Sequence, residues 1–195
     1  MKKMNRGTLF VVTGPSGTGK GTVLHQVLED LEDVVMSVSA TTRQPREGEV
    51  HGVHYYFLTR EEFEAGIAEG NFLEHAQYVE NFYGTLARPV EENLALGRDV
   101  ILEIEVKGAL QVQQKRPDAV LIFIAPPSFE ELERRLVGRG TESLEKIQKR
   151  LTTAKEEMEQ MDRFDYVVVN DEVHKAAKEL EQIVRLYRNT EMIRG

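Results

Sequence analysis

Thr8-Leu9-Phe10-Val11-Val12-Thr13-Gly14-Pro15-Ser16-Gly17-Thr18-Gly19-Lys20-Gly21-Thr22 is the stretch on which the reading of this chain turns. Its first six residues form a short apolar, β-branched run, which suits a strand covered on both faces. Gly14 to Lys20 then matches G-x-x-x-x-G-K, and from Thr22 to Leu31 the apolar residues Val23, Leu24, Val27, Leu28 and Leu31 recur at helical spacing. Strand, glycine-rich turn and helix in immediate succession suit a phosphate chain. It lies against bare backbone N–H groups where side chains are absent and positive φ is allowed. The opening helix adds its dipole, and Lys20 adds a point charge for the terminal phosphates. The bare pattern arises by chance in about one chain of this length in twenty, so its flanks carry the argument. One residue departs from it. Gly21 stands directly after the lysine, where a serine or threonine hydroxyl ordinarily ligates magnesium. Thr22 comes one place later, so the ion is expected to be held largely through water and nucleotide.

Outward from this stretch, strand and helix signals alternate. Val34–Ser39 reads as a second strand, Val100–Val106 and Val120–Ala125 as further core strands, and Tyr166–Val169 as the last. Pro126 and Pro127 stop the Val120 strand, and Ser128 suits an N-cap for a helix over Phe129–Leu136. A charged helix is expected over Ser143–Met161 and a final one over Val173–Leu186. Between Ala40 and Gly97 the character changes to arginine, glutamate, glycine and tyrosine with short apolar runs. His54–Leu58 suits a strand there, and Thr59 with Glu62 forms a capping-box pattern. This block reads as a lobe inserted between core elements. The whole predicts an α/β fold with a mostly parallel sheet flanked by helices, an inserted lobe and a helical lid.

Composition narrows the function. The chain has 195 residues, no cysteine, and 33 acidic against 25 basic residues for a net charge of -8. The missing cysteines exclude a disulfide scaffold and any cysteine-based zinc site. The acidic balance argues against binding a nucleic-acid backbone, though not against a small anion met by a few placed arginines. No apolar run approaches a membrane span, and the expected location is the cytoplasm. The five histidines have no metal-site spacing, and no Ser-His-Asp arrangement is apparent. Arg43 and Arg46, three apart in a polar stretch, suit a phosphate monoester. Glu103 and Glu105, two apart in an apolar run, are expected to project from one side of a strand, where magnesium or ligand N–H groups would offset their burial.

The segment Ser37-Val38-Ser39-Ala40-Thr41-Thr42-Arg43-Gln44-Pro45-Arg46-Glu47-Gly48-Glu49, with Gly52 and Tyr55, resembles the signature of the guanylate kinase family. So do Phe72-Leu73-Glu74 through Tyr83-Gly84-Thr85, Ile101 through Ala109, and Arg135 through Arg150 with Val169-Asn170-Asp171. The likeness runs from about Gly7 to Leu186. It implies one P-loop nucleoside monophosphate kinase domain over 7–186. Its core is 7–36, 98–127 and 162–186, its GMP-binding lobe 37–97 and its lid 128–161.

The resemblance implies magnesium-assisted transfer of a phosphoryl group from ATP to GMP, giving ADP and GDP. ATP would lie on Gly14, Pro15, Ser16, Gly17, Thr18, Gly19, Lys20, Gly21 and Thr22, with Arg135, Arg139 and Asn170. Asn170 matches a position beside the adenine. GMP would lie on Ser37, Arg43, Arg46, Tyr55, Glu74, Tyr83, Thr85 and Glu105. Of these, Arg43, Arg46, Tyr55 and Tyr83 match the phosphate positions, and Glu74, Ser37 and Thr85 those reading guanine. A carboxylate at Glu74 supports guanine on chemical grounds, because guanine offers donors at N1 and N2 where adenine has no N1 hydrogen. Lys20, Arg43, Arg135, Arg139 and Arg150 are the expected catalytic cations, and Arg134 an ordinary surface residue. Glu103 and Thr22 are the expected contacts to Mg²⁺, directly or through water. The family more often has aspartate at positions 103 and 105, and glutamate extends the reach by one methylene. Two other readings stay open at this stage. One is a catalytically dead relative that binds phosphopeptides, and the other is a P-loop kinase with a different acceptor.

Overall fold

The computed structural model describes residues 6–138 and 143–194. Two sheets organise it. The first has five parallel strands in the order β2 (Val34–Met36), β7 (Asp99–Glu103), β1 (Leu9–Thr13), β8 (Val120–Ala125) and β9 (Tyr166–Val169). Every residue of β1 and β8 is buried, as strands covered on both faces require. On one face Phe10, Val12, Ile122 and Ile124 pack against α1 (Lys20–Asp30) and α7 (Val173–Arg194). On the other, Val11, Leu102, Leu121 and Phe123 pack against α3 (Ala87–Ala95) and α4 (Val106–Lys115).

The second sheet has four strands in the order β4 (Tyr56–Phe57), β3 (Ala40–Thr41), β6 (Asn81–Leu86) and β5 (Phe72–Tyr78), with α2 (Arg60–Ala68) packed on it. Phe63 of α2 stacks between Phe72 and Phe82, with ring centroids 4.3 and 5.3 Å away. The expected capping box forms: Thr59 Oγ1 accepts from the Glu62 N–H, and the Glu62 carboxylate accepts from the Thr59 N–H. The two sheets are joined where a single longer strand was expected. β2 stops at Met36, Ser37 still donates to the Ile101 carbonyl, and the chain then crosses to begin β3 at Ala40. The strand expected over His54–Leu58 shortens to two residues, because the chain is still turning at its start: the Val53 and His54 N–H groups donate to the Val50 carbonyl, and Tyr55 pairs with His51.

A third packing unit consists of α5 (Phe129–Gly138) and α6 (Leu144–Met158), whose Leu132, Leu136, Ile147, Leu151 and Ala154 form a small core of their own. Ser128 caps α5 through Glu131 N–H, and Ser143 caps α6 through Lys146 N–H. Among the described residues no helix is long and apolar enough to cross a membrane.

This topology places ligand chemistry at one edge. The chain moves to one side of β1 through α1 and to the other through α4, and the crevice outside the carboxyl ends of such strands is where open α/β sheets take ligands. The glycine-rich loop follows β1, Ser37 follows β2, Glu105 follows β7 and Asn170 follows β9.

Candidate active site

The glycine-rich loop is wrapped around its own lysine. Lys20 Nζ donates to the carbonyls of Gly14 and Pro15, at 2.6 and 3.2 Å. Thr18 ties the turn by donating from its hydroxyl to the Pro15 carbonyl at 2.8 Å. Gly14 cannot be replaced here. Its φ is 144°, and a Cβ would stand 2.1 Å from the Ile124 carbonyl oxygen of the neighbouring strand. Burial pulls the Lys20 ammonium below its ordinary value, and the nearby carboxylates of Glu103, Glu157 and Glu105 pull it back up.

Beside the loop lies a cavity of about 390 Å³ lined by Gly17, Gly19, Arg135, Gly138, Asn170, Asp171 and Val173. Asn170 is buried, and its Nδ2 donates to the Thr18 carbonyl at 2.6 Å. Its Oδ1 has no hydrogen-bond partner among the described residues. A buried acceptor left this way is costly unless a ligand supplies the donor. Arg135 reaches over the same cavity, bonded to Glu131 at 2.8 Å and to the Asn170 carbonyl at 3.2 Å. Arg134 is exposed and also pairs with Glu131, as a surface residue would. The two arginines, Arg134 first, hold the Glu131 carboxyl down to about 2. Arg150 of α6 donates to Ser16 Oγ, so α6 touches the loop directly. Arg139 lies outside the described residues.

The second sheet gathers the remaining candidates. Glu74 is buried in β5, and its Oε1 accepts from the Thr85 hydroxyl at 2.7 Å across the β5–β6 ladder. Burial raises the Glu74 carboxyl above its ordinary value; the Thr85 hydrogen bond opposes this and Glu105 adds to it. Nearby, the Arg43 guanidinium lies 5.4 Å from the Tyr55 ring centroid, and Tyr55 packs edge-on to Tyr83 at 6.3 Å. Arg46 is exposed at the lobe's rim, and Ser37 stands half-buried where the chain leaves β2.

The acidic pair is not arranged as the spacing suggests. β7 ends at Glu103, and Glu105 is the N-cap of α4, with φ -75° and ψ 161°. The two carboxylates therefore do not share a strand face. The physical reason is the early helix start: the Glu105 carbonyl already accepts the Ala109 N–H. The change in direction separates their tasks. Glu103 is exposed and lies across from the start of α1, its Oε1 3.9 Å from where a Cβ on Gly21 would be. Glu105 sits nearer the second sheet, and partial desolvation pushes its carboxyl up while Lys20 and Lys107 draw it down.

Two residues here escape a reading by spacing alone. Gly108 lies in the first turn of α4, and a Cβ on it would come within 2.8 Å of Glu74 Oε2. A glycine inside a helix was the available signal. Glu157 is the other. It lies seven residues after Arg150, hence on the same face of α6, and half-buried. Burial raises its carboxyl to about 7, Glu105 adds to this, and Lys20 and Lys107 oppose it.

The guanylate kinase family model matches residues 6–187. The chain belongs to the guanylate kinase family. It is 53% identical over 182 residues to a guanylate kinase of Desulfitobacterium hafniense, covering 93% of this chain and 91% of that one. It is 51% identical over 182 residues to one of Clostridium perfringens, covering 93% and 84%. Among solved structures, a guanylate kinase from Anaplasma phagocytophilum superposes with a TM-score of 0.71 at 35% identity, covering 94% of this chain and 87% of that one. The α/β fold with a parallel sheet flanked by helices agrees with that neighbour.

Proposed function

We propose that the chain phosphorylates GMP to GDP at the expense of ATP, by direct in-line transfer between two nucleotides held on opposite sides of one cleft. The observation that carries this reading is the buried Glu74 carboxylate. Thr85 occupies one oxygen, and the other is left beside Gly108, where no side chain intrudes. A base with adjacent N–H donors fits that acceptor, and guanine presents them at N1 and N2. Adenine would set a lone pair against it, which is how strong rejection arises.

The remaining roles follow from position. The loop from Gly14 to Thr22 cradles the ATP phosphates, with Lys20 leaving the Gly14 and Pro15 carbonyls to meet them. The Asn170 Oδ1 accepts from the adenine amino group, which relieves its unpaired burial. Arg43, Arg46, Tyr55 and Tyr83 take the GMP phosphate, and Ser37, Thr85 and Glu105 complete the guanine site. Arg135 and Arg150, with Arg139, supply positive charge where the transferring group spreads its own. The attacking phosphate oxygen is already largely ionised, so positioning and charge neutralisation are the whole of the protein's task.

The oxygen donors of Glu103 and Thr22, at the facing starts of the cleft, fit Mg²⁺, which prefers such ligands and keeps several waters. Among the described residues no cluster of three or more acidic or histidine side chains builds a cage, so the nucleotide's own phosphates complete the set. Bound there, the ion would offset negative charge on the ATP phosphates. Domain boundaries follow the same division: core 7–36, 98–127 and 162–186, GMP lobe 37–97 and lid 128–161. A coupled ADP-release assay comparing GMP, AMP, CMP and UMP tests the reading. Turnover is expected with GMP alone and is abolished in Lys20→Ala. Turnover with another acceptor, or with none in a folded protein that binds GMP, overturns it.

A further inference from the structure

Glu49 has no role in the reading so far, yet it is the most heavily bonded carboxylate of the second sheet's rim. Its Oε1 accepts from Arg43 Nη2 at 2.8 Å, and its Oε2 from Arg43 Nη1 at 3.0 Å and from the Arg46 N–H at 2.7 Å. Only 16% of the Arg43 side chain and 17% of the Glu49 side chain are exposed. The other side of Arg43 is equally constrained. Nη1 also donates to the Gln44 carbonyl at 2.8 Å, and the rings of Tyr55 and Phe57 lie 5.4 and 5.8 Å from the guanidinium carbon.

A guanidinium has five N–H donors in two usable forks. Glu49 takes the end-on fork, between Nη1 and Nη2, and Gln44 takes the outer Nη1 hydrogen. Among the described residues no hydrogen bond takes the side-on fork, formed by Nε and the second Nη2 hydrogen, which leaves it for an acceptor from outside, with Tyr83 near the same guanidinium. That is the edge a phosphate monoester needs for a bidentate contact. A carboxylate beside an anion-binding arginine weakens its pull on the anion, so attraction does not explain the pairing. Orientation does. An unpaired arginine loses much rotamer freedom on binding, and a side chain ordered in advance avoids that loss.

We propose that Glu49 is the positioning residue of the acceptor-phosphate site: it orders Arg43 before GMP arrives and, through the Arg46 N–H, sets both arginines in one turn. This rests on the reading of Arg43 as a phosphate ligand. Glu49 touches no substrate, so its effect passes through Arg43 and falls on GMP rather than ATP.

The test uses the full chain as wild type, Glu49→Gln, Arg43→Ala and the double variant, with KM for each nucleotide, kcat and melting temperature. Glu49→Gln is expected to raise the GMP KM about tenfold through lost preorganisation, leaving the ATP KM within about twofold. Arg43→Ala is expected to raise the GMP KM about a hundredfold, and the double variant no further, because the interaction is shared. An unchanged GMP KM in Glu49→Gln, or losses that multiply in the double variant, overturns the proposal. An unchanged GMP KM in Arg43→Ala instead overturns the reading of Arg43 beneath it. Arginine side-chain NMR of the ligand-free wild type needs no variant to fold. Slow rotation of the Arg43 Nη groups is expected, and free rotation until GMP is added overturns the proposal.

Discussion

The two sheets of this molecule are held together by different means. In the five-stranded sheet the strands β1 and β8 are covered on both faces, and the glycine-rich loop hangs from β1, which has no exposed residue. The four-stranded sheet buries only Ala40, Phe63 and Phe72 in its own cluster. It is tied to the rest by Leu73 of β5, which is buried in the core on the α3–α4 face of the first sheet, and by polar bonds from α4. Gln111 exchanges two hydrogen bonds with the His75 backbone, at 3.1 and 3.0 Å, and Lys115 donates to the Phe72 carbonyl at 2.7 Å. The first sheet is thus held by a two-sided apolar core, and the second by a small core of its own with one apolar anchor and three polar bonds to α4.

The largest expected effect separates the two halves chemically. Lys20→Ala should lower kcat by about a thousandfold, the scale of losing a placed charge in the transition state. GMP affinity measured by calorimetry should stay within about twofold of wild type, because Lys20 belongs to the loop. A parallel loss of GMP affinity would show that the two sites are not independent.

The next pair tests the packing contrast. Ile122→Ala, in the fully buried β8, should cost about 2–5 kcal/mol of global stability, and Phe63→Ala a comparable amount felt locally. Hydrogen exchange distinguishes them. In Phe63→Ala the amides of β3, β5 and β6 should exchange early while β1 and β8 keep their protection. Uniform acceleration in both variants would mean that the two sheets unfold as one.

Gly108→Ala is smaller and more local. The added methyl would crowd Glu74 Oε2 at 2.8 Å, so the GMP KM should rise by about a hundredfold, as for a misplaced binding group, with the ATP KM unchanged. Acid should mimic it. Burial raises the Glu74 carboxyl, and guanine binds its ionised form, so GMP affinity should fall as pH drops, beginning above the ordinary carboxylate value of 4.5. Glu74→Gln should lack that dependence.

This contrast also explains what could be read in the chain itself. The glycine-rich loop and the strands β1, β8 and β9 are local patterns, and they form where expected because nothing distant has to agree. The charged candidates of the second sheet were placed by resemblance, since Arg43 or Glu74 in isolation looks like solvated surface. What failed was a rule applied across a boundary. Glu103 and Glu105 obey the two-residue strand period only if the strand continues, and α4 starts first. Gly108, Glu49 and Glu157 depend on neighbours 34, 6 and 137 residues away in the chain, and spacing says nothing about such partners.

Glu157 gives the smallest and most diagnostic prediction, because it lies where the lid meets both halves. In the ligand-free protein its carboxyl is raised from 4.5 to about 7, first by burial and then by Glu105. The folded state therefore holds a proton between those values that the unfolded chain has released, and stability must fall as pH rises through that window. Above about 7 both states are ionised, and the deficit stays constant. Glu157→Gln has no such proton to lose. Its stability relative to wild type should climb by roughly 1 kcal/mol between pH 4.5 and 7, allowing for solvent screening of a half-exposed group, and then level off. Urea unfolding of both proteins across pH 4–9 measures the gap. A gap that does not change with pH would place Glu157 in solvent, away from Lys20 and Glu105. A gap that closes only when ATP is added would show that the bound phosphates, and not the fold, set the charge at the end of the lid.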